Sequence, residues 1–176
     1  PLPFITSTIN QASPYGIRQT TGILQKLYQK GAITYIRTDS TKMSEAAKGM
    51  MKNHITSKFG SEMFQYRKFN TKKVKGAQEA HECMRPTKID KKFEDIKNPQ
   101  ERKIYELIWK RSVACLMKDS KYLSKDIKVL PSSIKTTFNK IMNKYTFLGW
   151  RTLYTNLNEI NQETNNFEEI LLNSTI

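Results

Sequence analysis

The periodicity of the chain changes once, near residue 120, and that change limits the folds open to it. Before it, apolar side chains recur at helical spacing. After it come runs rich in Ile, Val, Thr and aromatic residues, "DIKVL", "IKTTFNKI" and "YTFLGWRTLY", which suit a pleated strand. A helical part followed by a strand part, without alternation, predicts an α+β chain with a mainly helical domain over 1–120 and a β-rich domain over 121–176. With 176 residues, of which 38% are apolar, such a chain can bury a core.

Local signals subdivide the first part. A short helix is expected from Thr6 to about Ser13, closed by Pro14 and Gly16. In the next, Ile17, Leu24, Leu27 and Tyr28 fall on one helical face, and Lys30 and Gly31 supply C-terminal chemistry. Ser44 can cap a third helix, whose stripe of Ala46, Ala47, Met50, Met51, His54 and Ile55 stops at Gly60 and makes His54 a packing residue. Residues 61–76 mix basic and aromatic side chains without a helical period. They read as a loop with strand character, either solvated or able to stack bases while lysines neutralise phosphate. Asn98 as cap, Pro99 at N1 and Glu101 at N3 mark a capping box and a long helix reaching about Met117. Past the strand runs lie a polar stretch, "TNLNEINQETNN", and "FEEILL"; the sequence stops at Ile176 where a strand begins, which suggests a fragment.

Charge narrows the partner. The net charge of +14 is distributed unevenly: residues 1–144 carry +17 and residues 145–176 carry −3. A coding bias towards lysine would not segregate in this way, so a polyanion such as nucleic acid is expected. No apolar run approaches the roughly 18 residues of a membrane span, and "PLPFITSTIN" lacks the features of a secretion signal, so neither insertion nor secretion is expected. Cys83 and Cys115 lack metal-type spacing and read as buried, reduced thiols of an intracellular protein. With only two histidines, His54 and His81, a His-rich metal site is excluded.

The segment "ITYIRTDST" carries the chemistry. In an extended backbone alternate side chains share a face, so Tyr35, Arg37 and Asp39 would point together, opposite Thr34, Ile36 and Thr38. A phenol, with a pKa of about 10, attacks phosphate poorly unless a nearby cation neutralises the phosphate and favours the phenolate. Arg37 suits that task, because a guanidinium grips phosphate through two parallel hydrogen bonds. His81 could move the proton or hold the phosphate as imidazolium. On pattern alone such residues more often form an ordinary strand face, and they could also belong to a non-catalytic, basic nucleic-acid-binding module.

Five collinear stretches decide between these readings. "PFITSTINQAS", "LYQKGAITYIRTDST", "QEAHECMRPT", "IYELIWKRSVACLM" and "FLGW" resemble, in the same order, motifs of the type IA DNA topoisomerases, nearest to the bacterial topoisomerase I branch. The resemblance runs from Pro3 to about residue 154. It implies a helical domain carrying the nucleophile, followed by part of the β-rich arch around the DNA gate. It matches Tyr35 to the tyrosine that joins the 5′ phosphate of a cleaved strand without ATP, Arg37 to the arginine at the scissile phosphate, and His81 to the histidine assisting cleavage and DNA binding. Asp39 is a candidate to orient His81 or Arg37. Arg85 is either a DNA contact or an ion-pair partner of Glu79 or Glu82. The expected partner is single-stranded DNA, in the cytoplasm with the nucleoid or in another intracellular compartment that holds DNA. The resemblance places Mg²⁺ on an acidic cluster of a Toprim domain that precedes the matched region, so no metal ligand is expected in this chain and the isolated chain is expected to be inactive. Departures are modest: Cys83 and Met84 replace small or aliphatic residues, and the loop from Ser13 to Ile17 is shortened.

Overall fold

Leu27, buried at 1% exposure, starts the turn that organises the helical part. Helix α2 (Ile17–Gln29) ends there, and Gly31, at φ 62°, adopts the left-handed conformation that a side chain would disfavour. The amide of Gly31 donates to the carbonyl of Tyr28 at 2.8 Å and that of Ala32 to Leu27 at 2.9 Å, which satisfies two orphaned helix-end carbonyls. The chain is thereby reversed, and Ala32 and Ile33 are driven into the same apolar cluster as Leu27.

The computed structural model describes residues 1–69, 82–129 and 137–155. The chain divides into two compact units, Pro1–Lys118 and Asp119–Ile176. In the first, α2 is joined by α1 (Thr6–Ala12), α3 (Glu45–Phe59) and α4 (Pro99–Ala114). Its main core combines Ile9 of α1, Ile23, Leu24 and Leu27 of α2, and Ile104, Tyr105 and Ile108 of α4 with Phe4, Ile33, Ile36 and Met84 from the connecting segments. The second unit contains an antiparallel ribbon of β1 (Lys121–Val129) and β2 (Phe138–Phe147), in which Tyr122 faces Tyr145 and Val129 faces Phe138. Its Gly149–Leu153 segment is a short 3₁₀ turn, in which Arg151 lies against the rings of Tyr145 and Trp150. The α+β class therefore stands, but only the first residues of "YTFLGWRTLY" are strand. The polar stretch after Thr155 and "FEEILL" lie outside the described residues.

Helix faces and caps are rotated from the sequence expectation. In α2 the buried face is Thr20, Ile23, Leu24 and Leu27, while Ile17 and Tyr28 are exposed. In α3 it is Ala47, Lys48, Met51 and Ile55, with Ala46 and Met50 outside. Lys48 is admitted because its ammonium group donates to Glu45 at 2.8 Å and to the Tyr66 hydroxyl at 3.4 Å. Burial pulls its pKa down, but those bonds win and hold it above the ordinary lysine value. His54 does pack: it meets Trp109 of α4 edge to face at 5.3 Å, and burial holds its pKa below the usual value although Asp90 opposes. Asn98 caps α4 by accepting from Gln100 and Glu101, both at 3.0 Å. The Glu101 carboxylate does not complete the expected box; it turns to Lys30 at 2.6 Å and ties α4 to the end of α2.

Residues 61–69 hold a 3₁₀ turn, Ser61–Met63, and an isolated antiparallel bridge from Phe64 to Met117; the remainder of the 61–76 loop lies outside the described residues. Cys83 and Cys115 are free and buried, and burial pushes both thiols up to about 12. Among the described residues no helix is long and apolar enough to cross a membrane.

The reversal after α2 gives a direct test. Replacing Gly31 with Ala should destabilise the protein by roughly 1 kcal/mol, measured by denaturant unfolding, because the left-handed conformation disfavours a β-carbon. The same change at Gly22, inside α2 with open space around it, should instead be neutral or stabilising.

Candidate active site

Residues 33–41 meet two other parts of the chain before any of them can form a regular ladder. Ile33 bridges Pro86, the Thr34 amide donates to Arg85 at 2.9 Å, and the Thr34 hydroxyl donates to the Cys83 carbonyl at 2.8 Å. Two residues on, the Thr6 hydroxyl lies 2.8 and 2.9 Å from the carbonyls of Ile36 and Thr38, which share its single proton, and accepts from the Thr38 amide at 2.9 Å. Thr6 also donates its own amide to Thr38 at 2.9 Å. The expected strand is therefore a single bridge followed by extended chain, since a side chain and a helix start occupy the backbone groups that a neighbouring strand would use.

Its burial nevertheless alternates. Ile36, Thr38 and Ser40 are 4 to 6% exposed, whereas Tyr35, Arg37 and Asp39 face outward together. Arg37, Thr38 and Asp39 line a shallow cleft of about 380 Å³ with Ile5, Thr6 and Ser7. Tyr35 stands 43% exposed on the same side, with its ring edge-on to Tyr28 at 5.4 Å between centroids. A phenol and a guanidinium exposed at alternate positions of one segment, the guanidinium on an open cleft, can engage a phosphate from solution, the guanidinium by paired hydrogen bonds and the phenol by nucleophilic attack.

The segment 82–87 completes the frame. The Cys83 amide donates to Lys42 at 2.8 Å and the Met84 amide to Phe4 at 2.9 Å. Glu82 binds Arg85 through two hydrogen bonds, 2.9 and 2.7 Å, and accepts from the Ser44 amide at the cap of α3. Burial works to raise the Glu82 pKa, but the bonds from Arg85 and Ser44 outweigh it and hold the carboxyl below its ordinary range. Of the two alternatives for Arg85, the ion pair with Glu82 is present. Its third nitrogen donates to the Pro86 carbonyl at 2.9 Å, and the residue is 9% exposed. His81 and Glu79 lie outside the described residues. Among the described residues no three His, Cys, Asp or Glu side chains gather where they could hold a metal ion.

Two residues of the site escape a reading of the sequence. Thr6 lies in the resembling motif "PFITSTINQAS", but nothing local shows that its hydroxyl will reach residues 36–38, some thirty positions away. Tyr28 has the helical spacing of a core residue, and the structure corrects that expectation. A cue to its position lies in its distance from Tyr35 across a glycine-closed helix end.

Comparison with known proteins places the chain in a family. The chain is a member of the type IA DNA topoisomerases: residues 1–174 match the family described as DNA topoisomerase. It is 38% identical over 133 residues to DNA topoisomerase 1 of Pseudomonas aeruginosa, covering 72% of this chain and 15% of that protein. With DNA topoisomerase 1 of Buchnera aphidicola from Acyrthosiphon pisum it shares 38% over 156 residues, 85% of this chain and 18% of the relative. Full-length topoisomerase I from Thermotoga maritima superposes with a TM-score of 0.72 at 32% identity, covering 89% of this chain and 27% of that one. The chain thus spans less than a fifth of the length of these two curated relatives.

Replacing Thr6 with Val keeps the shape and removes the hydroxyl, stranding the Thr38 amide. We expect a loss of roughly 1–3 kcal/mol in denaturant unfolding, largely restored by Ser. Glu82 sets a pH dependence: its folded pKa lies below the unfolded value near 4.5, so its contribution is present above that pH and fades as pH falls through and below it. In Glu82→Gln, unfolding followed between pH 6 and pH 3 should show a shallower loss than in the parent.

Proposed function

We propose that this chain carries the nucleophile of a type IA DNA topoisomerase, which cuts and reseals one strand of DNA by transesterification and relaxes negative supercoils by passing a strand through the gap. The observation that carries the reading is the joint outward presentation of Tyr35 and Arg37 on a segment pinned by Thr6 on one side and by residues 83–86 on the other, in a chain of this family. The phenol oxygen of Tyr35 bonds to phosphorus as the bond from phosphorus to the 3′ oxygen of the preceding nucleotide breaks. The phenolic proton passes to a base, and the departing 3′ oxygen takes up a proton. Cleavage leaves a 5′-phosphotyrosine and a free 3′ hydroxyl. One phosphodiester is exchanged for another, so attack by the 3′ hydroxyl reverses the step without ATP.

Arg37 neutralises the phosphate under attack, where charge builds on its oxygens. His81 serves the proton or the phosphate, and Asp39, on the cleft beside Arg37, orients one of these two groups. Arg85, already held by Glu82, acts through the frame and not by gripping DNA. The single-strand partner is met by a surface whose basic excess makes binding salt-sensitive. Mg²⁺ and its acidic ligands are assigned to a Toprim domain, in cis or in trans, and the enzyme works wherever the cell keeps its DNA.

In the enzyme completed by that domain, Tyr35→Phe should abolish the covalent DNA adduct seen after denaturing a complex with single-stranded oligonucleotide, while leaving the melting temperature unchanged. An adduct that survives the change removes Tyr35 from the mechanism. Arg37→Ala should slow cleavage by roughly a hundredfold and weaken equilibrium binding far less. Equal losses would reduce Arg37 to a docking contact.

A further inference from the structure

We propose that Tyr28 is a positioning residue for the nucleophile: its ring, held edge-on to that of Tyr35, sets the direction in which the phenol oxygen is presented. The inference rests on the reading of Tyr35 given above. The two rings lie 5.4 Å apart between centroids at 67°, the edge-to-face arrangement that aromatic quadrupoles favour.

Both rings stand on fixed backbone. Tyr28 occupies the last turn of α2, one residue past the fully buried Leu27, and its carbonyl accepts from Gly31 in the turn that reverses the chain. That reversal is what brings residue 35 back beside residue 28. Tyr35 itself is bracketed by the Thr34 bonds to Arg85 on one side and the bond from Thr6 to Ile36 on the other. With the backbone held, the phenol oxygen is placed by the side-chain torsions, and the outer torsion of an aromatic residue has a broad well within which the contact with Tyr28 favours one setting. In-line attack on phosphorus needs the oxygen aligned to within a fraction of an ångström, so a contact that narrows this rotation accelerates the step without touching the substrate.

Exposure separates this role from two others. At 39% exposed, Tyr28 is not one of the core residues, although its helical spacing suggests it should be. The edge contact uses the ring and makes no demand on the Tyr28 hydroxyl. Phenylalanine at position 28 should therefore serve, whereas leucine, similar in apolar character but without a π face, should not.

The test uses the complete enzyme and an oligonucleotide labelled at its 3′ end, the part retained on the protein. The parent, Y28F, Y28L and Y35F are compared for single-turnover adduct formation, equilibrium binding and melting temperature. We expect Y28F to match the parent and Y28L to form adduct roughly three- to tenfold more slowly, the range of one aromatic pair, at unchanged affinity and melting temperature. A parental rate in Y28L overturns the inference. So does an equal loss of affinity, which would make Tyr28 a surface for bases, or a Y28F enzyme as slow as Y28L, which would assign the effect to the hydroxyl. Y35F keeps the two readings apart: adduct in Y35F defeats the nucleophile assignment, whereas an inert Y35F with a parental Y28L defeats only the role of Tyr28.

Discussion

One hydroxyl group, that of Thr6, holds the outward-facing segment in place. It shares its proton between two carbonyls and accepts from one amide of residues 36–38, and the Thr6 amide adds a further bond. Backbone groups that would otherwise need a neighbouring strand are thereby satisfied at the edge of a short helix. The result is a stretch of chain that is rigid yet accessible along one side. Phe4, two residues upstream, is buried, accepts from Met84 and lies under the Arg111 guanidinium, so the clamp is itself anchored to α4 and to the segment that follows His81 in sequence. The role proposed for Tyr35 needs this combination, because a fully buried phenol cannot reach a polymer and a loosely held one cannot be aimed.

Charge is handled in two ways in the helical unit. Where a charged group is buried, a partner accompanies it: Arg85 with Glu82, Glu101 with Lys30, Lys48 with Glu45. A buried charge without such a partner would be strongly destabilising, so these pairs fix which segments lie together more than they add net stability. The excess of lysine and arginine over acid across residues 1–144 favours a polyanion. The thiols stand outside this scheme, since burial makes Cys83 and Cys115 poor nucleophiles.

The sequence reading and the structure part at identifiable places. Helical spacing names residues able to share a face but not which face wins. Thr20 displaces Ile17 because its hydroxyl pairs with Ser13 and the Tyr15 carbonyl, and Lys48 displaces Ala46 because two oxygens wait for its ammonium group. The capping signal at Asn98 is right about the helix and wrong about Glu101, whose carboxylate finds a lysine 71 residues away more favourable than its own helix end. Such exchanges are invisible to any local pattern, because the competing partner is distant in the chain.

Local events are written in the chain itself. These are the helix start at Asn98 and Pro99, the helix end at Gly31, the switch to strand past residue 120, and the alternation that turns Tyr35, Arg37 and Asp39 to one side. Each follows from the conformational preferences of a few adjacent residues. It took the assembled fold to settle that Thr6 would grip the 36–38 backbone, that Arg85 would spend its hydrogen bonds on Glu82 and Pro86, and that Tyr28 would meet Tyr35 ring to ring. Those contacts join groups that choose among many partners until the packing of the core leaves one within reach.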